Sequence, residues 1–172
     1  MPEPGDGAAS RLERRLAPLR TLPAALRWPL TTWMVRRAIP FVGAGGVRIH
    51  ALGREGVVLS LPMRRRVSNH IGSVHAAAVA LLAETAGGLA FAMHLPAART
   101  PVVKRMELAF LRIARGCITA TAQVPDDAVT QLHDDASGEL VVPVALHDEA
   151  AGELVVCRLL YAWFTRGASQ LP

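Results

Sequence analysis

From Asn69 the chain reads Asn-His-Ile-Gly-Ser-Val-His-Ala-Ala-Ala-Val-Ala-Leu-Leu-Ala-Glu, a short polar turn opening a nearly all-apolar stretch that runs to Pro96. A helix apolar on every side has to be buried. At about 1.5 Å per residue, one over residues 73–95 spans roughly 30 Å, the width of a small domain. A 172-residue chain carrying such a helix must cover it with the rest of its length. Alanine dominates the segment, so the covering layer can approach closely. Its single carboxylate, Glu84, costs several kcal/mol to bury unless paired or protonated, and that cost makes it a functional candidate.

The covering layer is legible on both sides. Gly43, Gly45 and Gly46 mark a turn, and residues 47–52 and 57–61 read as strands joined through 53–56. The glycines lack the spacing of a dinucleotide loop and do not open a helix. Beyond Pro101, residues 102–113, 117–124, 139–146 and 154–165 are rich in Val, Leu, Ile and Thr and read as four more strands. The last two form a hairpin through the polar turn at 148–153, and Pro143 predicts an edge position or a bulge. Residues 125–138 read as an acidic loop with a helical turn. Two strands, a buried helix and four strands predict an α+β architecture in which an antiparallel sheet covers the helix.

The expected boundaries are a disordered segment at 1–10, a helical extension at 11–40 and one domain at 41–168. Pro18, Pro23 and Pro29 should chop the extension into short helices, the best near 30–38. Trp28 and Trp33 lie among Arg27, Arg36 and Arg37. That fits either a membrane-surface helix or a segment folded back over a sheet edge, and the second is favoured.

Net charge is +5, with 17 of 19 basic residues at or before Arg115 and 8 of 14 acidic ones after it. A basic half suggests an anionic partner. All but Lys104 are arginines, which fits a compositional bias as well as a binding design. No nucleic-acid recognition motif is present. The apolar run is broken by Glu84, Gly87 and Gly88, which argues against a membrane span. Cys117 and Cys157 lack a CxxC partner and read as free thiols of a reducing, cytoplasmic environment. His70 and His75 lack helical metal-pair spacing, so no metal site is expected.

The mouth of the helix carries the chemistry. Asn69, Gly72 and His75 place an amide, a tight turn and a ring donor where unpaired N–H groups attract negative charge. Asn-x-x-Gly-x-x-His, with an acid fifteen positions after the Asn, resembles the hotdog-fold acyl-CoA thioesterases. It looks closest to the PaaI-like group or an uncharacterised hotdog branch. The stretch Phe110-Leu111-Arg112-Ile113-Ala114-Arg115-Gly116 resembles that family's strand exit. Ala76 and Ala77 replace the family's glycines, Glu84 replaces its Asp, and Val103 or Lys104 falls where its hydroxyl residue would stand. The resemblance implies a hotdog fold, a coenzyme A thioester substrate, no cofactor, and a homodimer or dimer of dimers.

Geometry argues for the dimer independently. His75 and Glu84 lie on opposite sides of a helix and about 13 Å apart along it, so they cannot act together in one chain's site. With two copies packed antiparallel along this helix, Glu84 of one can face Asn69 and the helix entrance of the other. In the expected mechanism the Ala76 N–H and the Asn69 amide hold the thioester oxygen, and Glu84 acts as general base or nucleophile. Gly72 and His75 shape the turn. Arg64, Arg65 and Arg66 contact the phosphates of coenzyme A, and Lys104 reaches the site or snorkels to water. Each residue has a plainer reading: Glu84 a structural acid, Asn69 a cap, the arginines a solvated run. A non-catalytic acyl-CoA binder and a hotdog hydratase or dehydratase are the alternative functions.

Overall fold

The computed structural model describes residues 9–150 and 152–165. The expected disordered start, up to residue 8, and the domain end at 166–168 lie outside the described residues. Ser10 is buried and caps helix α1 (Arg11–Leu16), accepting the Glu13 N–H at 3.0 Å. A short 3-10 turn at Ala17–Leu19 precedes helix α2 (Ala24–Ala38), and α3 (Pro40–Gly45) follows. Pro29 was expected to break the extension and instead sits inside α2. Ala25, whose carbonyl loses its helical partner to the proline, is exposed, so that carbonyl is open to solvent.

The sheet comprises β1 (Arg48–Gly53), β2 (Gly56–Leu61), β3 (Arg99–Phe110), β4 (Ile118–Ala122), β5 (Gly138–His147) and β6 (Val155–Thr165). Their spatial order is β1-β2-β4-β5-β6-β3, with every pairing antiparallel. Helix α4 (Ala76–His94) runs across this curved sheet, and a short helix α5 (Asp126–Asp134) occupies the acidic connection. Period-2 alternation sends Leu59, Ile118, Val142, Leu159 and Trp163 onto the helix, all almost wholly buried. Length and composition would let α4 cross a membrane, but it is the core helix of this fold.

Glycine decides how close the sheet comes. At Gly87 a Cβ would stand 2.8 Å from the Tyr161 hydroxyl and 3.0 Å from Leu159. Tyr161 can therefore reach in, donate its hydroxyl to the Glu84 carbonyl at 2.8 Å and stack on Phe91 at 5.3 Å. Gly87→Ala is expected to overpack this seam and cost about 1–3 kcal/mol, read as a lower urea midpoint.

Pro143 departs from its expected place. It is neither at an edge nor in a bulge, but where β5 changes partner: residues Gly138 to Pro143 pair with β6, and Val144 to His147 pair with β4. A residue without an N–H fits such a handover, because one ladder ends there as the next begins.

The extension covers the free edge of β1. Thr32 accepts the Ile49 N–H at 2.9 Å, and Arg36 donates to the carbonyls of Gly46 and Val47 at 2.7 and 2.8 Å. Strand β3, at the other edge, pairs only with β6 among the described strands and is exposed along most of its length.

Candidate active site

The turn before α4 is built around Asn69. Its Oδ1 accepts the N–H groups of Ile71 and Ser73 at 3.1 and 2.9 Å, and its own N–H donates to the Ser73 carbonyl. Gly72 takes φ +76°, the left-handed conformation that such a turn requires. The Asn69 oxygen is thus committed to the turn, and its Nδ2 has no hydrogen-bond partner among the described residues. The helix starts three residues later than its apolar pattern suggests, because Ser73 turns its hydroxyl to the Ala114 carbonyl at 2.9 Å.

His75 is the N-cap. Its Nδ1 accepts the Ala77 N–H at 3.0 Å, and its carbonyl accepts those of Ala78 and Val79 at 2.8 and 3.1 Å. With the His75 N–H on the Val67 carbonyl, the open N–H groups of His75, Ala77 and Ala78 are satisfied, three of the four that a helix start leaves. Ala76 keeps the fourth, unpaired among the described residues. It lines a cavity of about 140 Å³ together with Asn69, Ser73, Phe110, Arg112 and Leu154. A larger groove of about 1060 Å³ lies near the far end of α4, beside Leu16, Trp28 and Met93. That groove contains neither Asn69, Ala76 nor Glu84, so size does not locate the chemistry.

Glu84 is half-buried, and burial raises its pKa above the ordinary carboxylate value with no charged neighbour to offset it. Its carboxylate lies over Gly88, where a Cβ would be 3.5 Å from Oε1. Eight positions separate Glu84 from Ala76, about 12 Å along the helix. One chain does not bring the acid to the mouth of its own helix. Glu84 belongs instead to a stripe of small residues, Ala77, Ala80, Gly88 and Ala92, which α4 leaves partly open to solvent.

The remaining candidates divide. Arg64, Arg65 and Arg66 are exposed around the 3-10 turn Arg65–Val67, and the Val67 carbonyl accepts the His75 N–H at 2.8 Å, so the run abuts the helix mouth. Lys104 does not join the site. A bulge between Val103 and Arg105 takes it off the face of Met106, Leu108 and Phe110, and its ammonium pairs with Glu139 of β5. Sequence reasoning missed the brace beneath the cavity. Arg112 holds Asp148 through two hydrogen bonds of 2.7 and 2.8 Å, and the Asp148 carboxylate is fully shielded from solvent. The Arg112 guanidinium, helped by the N–H groups of Arg115 and Ala150, keeps Asp148 far below the usual carboxylate range. The signal was the Arg112 segment itself, already singled out as a strand exit.

Over residues 28–163 the chain matches the family model described as a domain of unknown function, DUF4442. No curated protein matches it. Among solved structures it is similar to a Pseudomonas aeruginosa protein of unknown function, described as a probable thioesterase. The two are 31% identical with TM-score 0.73, over 84% of this chain and 97% of that one. A Haemophilus influenzae thioesterase is 25% identical with TM-score 0.61, over 73% of this chain and 82% of its own. A Staphylococcus aureus thioesterase, 23% identical over 73% of this chain and 98% of its own with TM-score 0.62, shares the fold. The chain belongs to the DUF4442 family and, with it, to the hotdog-fold thioesterase superfamily.

Proposed function

We propose that the protein hydrolyses acyl-CoA or acyl-carrier thioesters at a site shared across a homodimer interface. The observation that carries this reading is the N–H of Ala76, left unpaired at the start of α4 among the described residues and opening into a small cavity, while the helix's only acid lies about 12 Å away. A second chain packed antiparallel along the small-residue stripe of α4 supplies the missing acid. The edge strand β3 favours such a partner. Val103, Met106 and Phe110 are 39%, 42% and 46% exposed, and Leu111, Ile113 and Ile71 beside them are 53%, 62% and 58% exposed. A long apolar edge is a template for pairing with another strand.

In the dimer the thioester oxygen accepts hydrogen bonds from the Ala76 N–H and Asn69 Nδ2. Glu84 of the second chain takes a proton from water as that water attacks the carbonyl carbon. The oxygen becomes an oxyanion, held by the same two donors and by the positive end of the helix. Collapse breaks the C–S bond; the thiolate, conjugate to a thiol of pKa about 8.5, leaves readily and is protonated. Arg64, Arg65 and Arg66 lie at the rim, where the phosphates of coenzyme A would sit. A non-catalytic acyl-CoA binder is the second reading, favoured by the absence of a hydroxyl at Val103 and Lys104.

Thiol release from acyl-CoAs of varied chain length tests the proposal. Expected is saturable turnover by a dimeric species. Its rate falls with acid along a limb set above the ordinary glutamate pKa of about 4.3, because the ionised form of Glu84 is the active one and burial raises its pKa. Tight binding without thiol release would establish the second reading. Hydration of crotonyl-CoA would make it a hydratase.

A further inference from the structure

Only one face of α2 is used to cover β1. Thr31 and Val35 point inward and are buried, whereas Leu26, Leu30 and Trp33 are 56%, 41% and 62% exposed. With Arg37, these recur at i, i+4, i+7 and i+11, a stripe within about 60° on the side opposite Val35. Ile39 and Phe41, 41% and 66% exposed, follow in the connection and the first turn of α3. Scattered surface apolar residues are ordinary; an aligned Leu26, Leu30 and Trp33 followed at once by two more exposed apolar residues, one a Phe, is not.

Charge identifies what covers it. Residues 11–83 hold twelve arginines and two carboxylates, Glu55 and Glu13, the latter paired with Arg20 and Arg54. Arg37 is exposed within the stripe, and Arg36 beside it, turned onto the Gly46 and Val47 carbonyls, has its pKa lowered by burial and then by the like charges of Arg48, Arg64 and Arg66. Two copies of so basic a face repel each other, which disfavours self-association. An apolar stripe carrying Trp and Phe, edged by arginine and raised on a surface helix, matches the headgroup boundary of an anionic bilayer.

We propose that the outward face of α2 and α3 docks the protein on an anionic lipid surface, with Trp33 and Phe41 inserted between headgroups and Arg37 against lipid phosphates. Leu26, Leu30, Trp33, Arg37 and Phe41 are not among the helix-mouth residues, Arg64 and Arg66 being the part of the basic surround that also borders that mouth, and the docking does not depend on the thioesterase reading.

Co-sedimentation with phosphatidylcholine vesicles, with and without phosphatidylglycerol, tests it. The full chain is expected to bind the anionic vesicles at least about tenfold more strongly than the neutral ones, and to be released near about 0.5 M salt. Trp33→Glu with Phe41→Glu should lower binding at least about tenfold at an unchanged melting temperature, and Arg37→Gln alone about fivefold. Equal binding by the double variant, or no binding by the wild type, overturns the proposal. So does a fall in light-scattering mass in the double variant, which would make the face a contact between copies. Binding of a purified acidic carrier protein, lost in the double variant while vesicles are ignored, would overturn it as well.

Discussion

Glu84→Gln is expected to lower kcat for thioester hydrolysis by about 10³-fold while leaving acyl-CoA binding within a fewfold of wild type. Glutamine keeps the size and hydrogen-bonding capacity of the side chain and removes its basicity. The loss should therefore appear in kcat and in the acid limb of the pH profile rather than in affinity. The same change should stabilise the fold. Burial raises the Glu84 pKa, so folding disfavours the ionised form, and above the folded pKa that charge is a standing cost. The variant is then more stable than wild type at pH 7, and the difference vanishes at acid pH, where both side chains are neutral. A variant both inactive and more heat-resistant is the signature of a functional acid kept against its solvation energy. If Glu84 were only structural, Gln would change stability and leave turnover intact.

Ala76→Pro should lower kcat by about 10²–10³-fold with little effect on the melting temperature. Proline at the first helical position is well tolerated, since the N–H that it removes has no helical acceptor. His75, at ψ 138°, already has the extended conformation that a following proline demands. The substitution thus deletes the unpaired donor and leaves the neighbouring caps in place. Asn69→Ala is a blunter probe, because it also dismantles the turn that Oδ1 holds together. A melting temperature far below wild type in Ala76→Pro would mean that this N–H serves the fold.

The elements legible in the sequence were those set by local pattern. All six strands fall within a few residues of their apolar alternation, and the central helix was marked by its unbroken apolar run. Where the reading failed, a distant partner had decided. The start of α4 shifted because Ser73 spends its hydroxyl on Ala114, forty-one positions away. Pro143 sits inside the sheet because β5 changes neighbours there, which no single strand announces. Lys104 left the site through a bulge fixed by pairing with β6. The Arg112–Asp148 brace joins two segments thirty-six positions apart, each unremarkable alone. The site was half legible for a related reason: Asn69, Gly72, His75 and Ala76 are contiguous and obey local capping rules. In the site proposed above, Glu84 joins them only through a second copy of the chain.

That last point is the centre of the account, and mixing two dead variants tests it. Chains carrying Glu84→Gln and chains carrying Ala76→Pro, co-expressed in equal amounts, should form mixed dimers in half of all pairings. Each mixed dimer regains one intact site of two, from the wild-type acid of one chain and the wild-type helix mouth of the other. Shared sites predict recovery of about a quarter of wild-type turnover from two inactive parents. Activity no higher than that of either parent, with mixed dimers demonstrably formed, would place acid and helix mouth in the same chain and contradict the account.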